Sequence, residues 1–199
     1  KLWETKMMTQ YHNPVLLEAS VEGLNIIPNG TYVDVTFGGG GHSKAILNCL
    51  DVGGRLLGFD QDTDACKNAL VDSRFDLIHS NFSNLSQYLK YHKVIHVEGI
   101  LADFGVSSHQ FDTRERGFST RLDARLDMRM NQSQPLDAFE IINKYSEEDL
   151  RTLFYAYGEL KNSKAIAAKI IDGREERTIE SSMDLIDLLR PLVPRRIEN

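Results

Sequence analysis

Tyr32-Val33-Asp34-Val35-Thr36-Phe37-Gly38-Gly39-Gly40-Gly41-His42-Ser43-Lys44 is the stretch whose reading decides the fold. A β-branched and aromatic run closes on a carboxylate, four glycines follow, and a helix-forming segment begins at Ser43. Glycines strip the Cβ atoms from the turn, so a ligand can approach the backbone while the amides of the following helix point at it. A phosphate-binding P-loop would need Gly-Lys-Ser/Thr, but the positions hold Ser43, Lys44 and Ala45. A dinucleotide fingerprint would need a third glycine where Ser43 stands.

What remains is an acid at a strand end four residues before a glycine-rich turn, the pattern that Rossmann-like enzymes use for S-adenosylmethionine. Outward from it the chain alternates. Arg55–Asp60, Phe75–His79 and Glu98–Asp103 join Tyr32–Val35 as predicted strands, and helices are predicted over Pro14–Gly23, Ser43–Leu50, Asp62–Asp72 and Ser83–Tyr91. Alternation at this spacing implies a parallel sheet with right-handed crossovers.

Near residue 110 the period changes. Ser146-Glu147-Glu148-Asp149 forms a capping-box pattern ahead of Leu150, Leu153, Phe154 and Tyr157. Lys164–Asp172 predicts a second helix with Gly173 just past its end, and Ser181-Ser182-Met183-Asp184 opens a third that Pro191 closes. The expected organisation is an upstream extension over 1–7, a cofactor-binding α/β domain over 8–110 and a helical domain over 111–199. Lys1–Lys6 are polar around Trp3 with no apolar core after them, so no secretory leader is expected.

The chain has 199 residues, 41% of them hydrophobic, enough for a real core and too many for general disorder. Twenty-three basic side chains face 29 acidic ones, so the net charge of −6 carries no nucleic-acid signature of its own. Neither half is basic. No run is long and apolar enough for a membrane helix, and no membrane partner is expected. Cys49 and Cys66 form no CxxC pattern and are read as buried thiols in a reducing cytoplasm. The histidines share no ligand spacing, so no metal is predicted.

Two more strand ends bear on chemistry. Asp60 closes the second strand, where a carboxylate can accept both ribose hydroxyls of an adenosine; Asn81-Phe82 after the third offers an amide and a ring beside the adenine. The fourth strand runs into Asp103-Phe104-Gly105-Val106-Ser107-Ser108-His109-Gln110-Phe111-Asp112, too polar for a mere connector. Arg114, Arg116, Arg121, Arg125 and Arg129 then fall beside Phe111 and Phe118. Such a loop can clamp phosphates and stack on unpaired bases, or close on itself through Asp112, Glu115, Asp123 and Asp127.

Four blocks in order carry a family resemblance: Asp34-x-Thr36-Phe37-Gly38-x-Gly40-Gly41-His42-Ser43, Asp103-x-Gly105-Val106-Ser107-Ser108-x-Gln110-x-Asp112, Arg116-Gly117-Phe118-Ser119 and Leu126-Asp127-Met128-Arg129-Met130. From about His12 onward the chain resembles the MraW/RsmH family, bacterial methyltransferases acting on N4 of a decoding-centre cytidine in 16S ribosomal RNA. The resemblance implies a Rossmann-like S-adenosyl-L-methionine methyltransferase sheet with an inserted all-helical substrate domain. Cofactor contacts are implied at Gly40, Gly41, His42, Asp60, Phe82, Asp103 and Gln110, with Asp103 also the catalytic candidate. RNA contacts are implied at Arg116, Phe118, Asp127 and Arg129. The implied partner is 16S rRNA within the small ribosomal subunit, in the cytoplasm, and a homodimer is compatible with the reading.

The sequence departs from the family at Asp123-Ala124-Arg125, where Asp-Gly-Pro is usual, and at Asn131, where Asp is usual. Family members also run considerably longer, and the resemblance implies that their further strands continue the sheet. Two alternatives stand beside the main expectation: a methyltransferase of the same fold acting on another RNA or a small molecule, and a cofactor-binding fragment without catalysis.

Overall fold

The computed structural model describes residues 14–192. The predicted upstream extension over 1–7 lies outside the described residues. The chain divides into two compact units, Lys1–Gly105 and Val106–Asn199.

The first unit is built on β1 (Thr31–Asp34), β2 (Arg55–Asp60), β3 (Phe75–His79) and β4 (Gly99–Leu101). All pair in parallel, in the order β3-β2-β1-β4. Register is set by Tyr32 opposite Leu56 and Gly99, and by Leu56 opposite Phe75. The chain steps outward from β1 to β3, then returns to the other side of β1. The order therefore reverses between β1 and β4, and open α/β sheets bind ligands at the strand ends beside such a reversal.

Both faces are covered, which is why the central strands read as unbroken apolar runs. Tyr32, Leu56 and Leu101 point to one face, packed by Ile46, Leu47 and Leu50, with Val21 and Leu24 at its margin. Val33, Val35, Leu57 and Phe59 point to the other, against Leu85, Tyr88 and Leu89. Ile46, Leu47 and Cys49 belong to α2 (Gly41–Cys49), Val21 to α1 (Leu17–Gly23), and Leu85–Leu89 to a further helix over Leu85–Tyr91. Full burial of leucines such as Leu56 and Leu57 stabilises the unit by roughly 2–3 kcal/mol each.

One element is much shorter than expected. The helix predicted over Asp62–Asp72 is a single turn, α3 (Thr63–Cys66), capped by Asp62. Lys67, Asn68 and Ala69 follow with tighter i→i−3 hydrogen bonds, and the Asn68 amide is drawn to the carbonyl of Gly38 at 3.2 Å. Of the segment's apolar side chains Ala65 is buried and Leu70 partly so, whereas Val71 is fully exposed, so there is too little apolar stripe to extend the helix. The Leu85–Tyr91 helix is α4.

The second unit is helical: α5 (Ser108–Asp112), α6 (Ala138–Lys144), α7 (Glu147–Ala156), α8 (Ser163–Glu176) and α9 (Ser182–Leu189). Its core joins Ile142, Leu150, Ile166, Ala167, Ile170 and Ile179 to Leu126, which arrives from a loop. Ser146 and Ser181 cap α7 and α9 as their patterns predict. Gly173 does not end α8; a Cβ there would lie 2.7 Å from the Leu188 methyls, so glycine lets α9 approach a helix that runs on to Glu176. α6 lies outside the predicted helices, although Asp137 caps it by accepting from the Glu140 amide at 2.8 Å. The expectation of two buried thiols is corrected as well, since Cys49 is exposed and Cys66 only half-buried. Among the described residues, no helix is long and apolar enough to cross a membrane.

Candidate functional site

The C-terminal tips of β1, β2 and β4 are joined by side chains. Asp34 is fully buried; Oδ2 accepts from the Ser43 hydroxyl at 2.7 Å and Oδ1 from the Thr36 amide at 3.0 Å. Burial pushes its carboxyl above the ordinary range, against the pull of those hydrogen bonds. Thr36 Oγ1 also donates to Asp34 at 3.4 Å and accepts from the backbone N–H of Asp103 at 2.7 Å. Asp34 therefore holds the turn and, through Thr36, the start of the loop after β4.

The glycine turn is tied to β2 in the same way. Asp60 Oδ2 accepts from the Gly38 amide at 2.8 Å and Oδ1 from the Asp62 amide at 2.9 Å. Burial raises the Asp60 carboxyl, the two amides oppose it, and the neighbouring charge of Asp62 adds to the rise. Each carboxylate oxygen has further lone-pair capacity, so this group can hold the turn and still accept hydroxyl protons. Gly40 caps α2 at φ +75°, and a Cβ there would meet the buried Phe37 ring at 2.8 Å. Gly38, at φ +52°, is open on its Cβ side.

Gly41 and His42 also meet the segment ahead of α1. A Cβ on Gly41 would lie 2.3 Å from Pro14 Cγ, and the buried His42 ring places Nε2 3.2 Å from the carbonyl of Val15. The segment before α1 is thus seated on the turn, and the His42 side chain faces it.

Beyond β3, Asn81 caps a short 3₁₀ turn that begins with Phe82, and its amide donates to Gln61 Oε1 at 2.8 Å. Phe82 is exposed, and its ring lies 5.5 Å from that of Phe104, tilted by 49°. Phe104 belongs to the polar stretch after β4, and no sequence motif marks its ring. Asp103 is exposed at the same strand end, its carboxylate with no hydrogen bond or ion pair to another described residue.

Gln110, Arg116, Phe118, Asp127 and Arg129 belong to the second unit. Gln110 is buried and completes a capping box: its amide donates to Ser107 Oγ at 3.2 Å and its Oε1 accepts from the Ser107 amide at 3.0 Å. Arg116, one of the implied RNA contacts, is turned into its own loop. It is 1% exposed, donates to the Arg129 carbonyl at 2.8 Å and lies 6.0 Å from the Phe118 ring centre. Asp127 is buried and grips Arg129 at both oxygens, 2.5 Å at the shorter contact. Burial alone would raise the Asp127 carboxyl; the hydrogen bonds and charge of Arg129, with that of Arg116, bring it below the ordinary value. These three charged residues frame the loop from within. Arg114 and Arg121 are exposed, while Arg125 pairs with Asp137 at 2.5 Å.

A family model for the MraW methylase family matches residues 9–199. Ribosomal RNA small subunit methyltransferase H of Christiangramia forsetii is 54% identical over 97% of this chain and 64% of its own length. The protein of that name from Flavobacterium johnsoniae is also 54% identical, over 96% of this chain and 63% of its own, and that of Bacteroides fragilis 53%, over 96% and 62%. The chain thus spans a little under two-thirds of the curated relatives it matches. Among solved structures, a putative methyltransferase from an antibiotic biosynthesis pathway of Anabaena variabilis is 16% identical with a TM-score of 0.35, covering 64% of this chain and 50% of that one. That similarity is too slight to bear on the site.

Proposed function

The chain belongs to the MraW methylase family, and from that premise we propose that the protein is an S-adenosylmethionine-dependent methyltransferase that modifies N4 of a decoding-centre cytidine in 16S ribosomal RNA. The observation that carries the reading is the set of strand tips beside the sheet reversal: a glycine turn on the Asp60 carboxylate, and an exposed Asp103 anchored to Thr36. The names of the relatives support the RNA substrate.

The residues present fit the donor. The turn at Gly38–Gly40 leaves backbone accessible, Asp60 has acceptor capacity for ribose hydroxyls, and Phe82 offers an exposed ring beyond it. Gly41 and His42 contribute backbone. Bound there, S-adenosylmethionine supplies an electrophilic methyl group on a sulfonium.

The exocyclic amine of cytosine is a poor nucleophile because its lone pair is delocalised into the ring. Asp103 accepts a hydrogen bond from the N4–H, orients the nitrogen and stabilises positive charge as it develops there. The hydrogen bond from its backbone N–H to Thr36 Oγ1 fixes where the carboxylate begins, which matters because methyl transfer tolerates little misalignment. The helical unit is the substrate domain inserted into the sheet domain. Phe118 and the exposed Arg114 and Arg121 meet RNA, on a loop that Arg116, Asp127 and Arg129 hold in shape. A net-acidic chain with one local basic segment suits an assembled small subunit in the cytoplasm better than naked RNA; self-association as a homodimer is part of the same proposal.

The test is methylation of small ribosomal subunits from a strain lacking the modification, with nucleoside mass spectrometry of the product. N4-methylcytidine at one decoding-centre position is expected, and Asp103→Asn should abolish it while retaining donor binding. Label appearing in no ribosomal RNA, or full activity of the Asn variant, overturns the corresponding part.

A further inference from the structure

β3 and β4 are the two outer strands of the four, three inter-strand spacings apart, which is about 14 Å. Phe82 follows β3 and Phe104 follows β4, yet their rings are in contact at 5.5 Å. The loops that carry them therefore lean toward each other across the tips of β2 and β1, where Asp60 and the glycine turn lie. Two exposed phenyl rings, 41% and 70% accessible, meet above an otherwise polar strand edge. Neither is held in the core of the unit. Gly105, immediately after Phe104, has φ +149°, a conformation that residues with side chains rarely adopt, and its Cβ position is open.

We infer that Phe82 and Phe104 form a two-ring clamp that parts to take the adenine of the donor between them, with Phe104 as its moving half. This rests on the donor reading above and deepens it. A flat ring sandwiched between two others needs about 3.5 Å on each side, or ~7 Å in all. The pair at 5.5 Å must open by the difference and lose its 49° tilt. Phe82 begins a 3₁₀ turn capped by Asn81, which is tied to Gln61 beside Asp60, so that side is braced. Phe104 lies on irregular backbone ahead of Gly105, so that side can swing. The occupant is adenine rather than the acceptor base because β2 and β3 are neighbours. The heterocycle joined to a ribose on Asp60 lies on the Phe82 side, and Phe104 reaches that same side to touch Phe82.

The experiment is calorimetric titration of the full gene product with S-adenosylhomocysteine and, separately, with adenosine. Phe104→Ala should weaken both by about tenfold, the range that loss of one base-stacking ring produces. Phe104→Trp should restore most of the affinity, which a merely structural role would not. At 70% exposure the ring adds little to folding, and unchanged thermal unfolding of the Ala variant checks this. Affinities within twofold of the parent overturn the clamp, as does a variant that loses only affinity for the ribosomal substrate, since the ring then belongs to the acceptor base. Failure of the unaltered protein to bind S-adenosylhomocysteine sinks the donor reading itself.

Discussion

The backbone N–H of Asp103 donates to the hydroxyl of Thr36 at 2.7 Å, across sixty-seven residues of sequence. Thr36 in turn donates to Asp34, which is buried and also holds Ser43. The acid proposed to meet the acceptor amine is therefore positioned by a relay from the glycine turn, so the donor and acceptor sides share one support.

Thr36→Val keeps the shape and removes both bonds. We expect turnover to fall by roughly 10- to 100-fold, because a displaced Asp103 misaligns the acceptor, while affinity for S-adenosylhomocysteine stays within about threefold. A steady-state assay beside a binding titration separates the two. Equal losses in both would mean that Thr36 supports the turn and not the acid.

Asp34 makes a pH prediction. Its folded carboxyl is raised above 3.8 chiefly by burial, so the folded protein keeps a proton that the unfolded chain has lost. That contribution to stability is fully present below the unfolded value and disappears as pH rises through the folded one. Asp34→Asn carries no such loss. Urea unfolding should show the variant gaining on its parent as pH rises past the ordinary carboxylate value, and a difference constant with pH would refute the assignment.

Asp127 behaves oppositely. Burial raises its carboxyl, but Arg129 and Arg116 outweigh that and leave it below 3.8. Its stabilisation is present above the unfolded value and lost as pH falls through the folded one. Asp127→Asn should lower the stability of the second unit by ~2–3 kcal/mol near neutrality, by leaving Arg129 half-buried without its carboxylate. Hydrogen exchange in the segment 116–130 would report it, and unchanged protection would count against the frame described for this loop.

Gly40→Ala places a Cβ 2.8 Å from the buried Phe37 ring at a backbone φ of +75°. A cost of about 1–3 kcal/mol is expected, together with loss of donor binding as the start of α2 shifts. Thermal unfolding and calorimetry measure both. A stable variant with intact binding would show that the turn is more pliable than its geometry implies.

Much of this was open to reading in one dimension because it rests on local chemistry. Ser146 and Ser181 announced the starts of α7 and α9, since a cap is a contact three residues long. Asp62 announced a helix equally clearly, but not its length, because Asn68 is drawn away to Gly38 by a contact thirty residues distant. The arginine loop shows the same limit. Composition placed guanidinium groups beside aromatics, and only packing sent Arg116 inward to the Arg129 carbonyl and left Arg114 and Arg121 outside.

The sequence by itself determined the parallel strand–helix alternation, the glycine turn and the acids at the strand tips, because burial periodicity and backbone conformation are properties of neighbouring residues. Tertiary structure alone decided that Thr36 carries Asp103, that Gly41 and His42 face Pro14 and Val15, and that Phe82 meets Phe104. Those pairings depend on strand order, and strand order follows from how both faces of the sheet are covered at once, which no local pattern encodes.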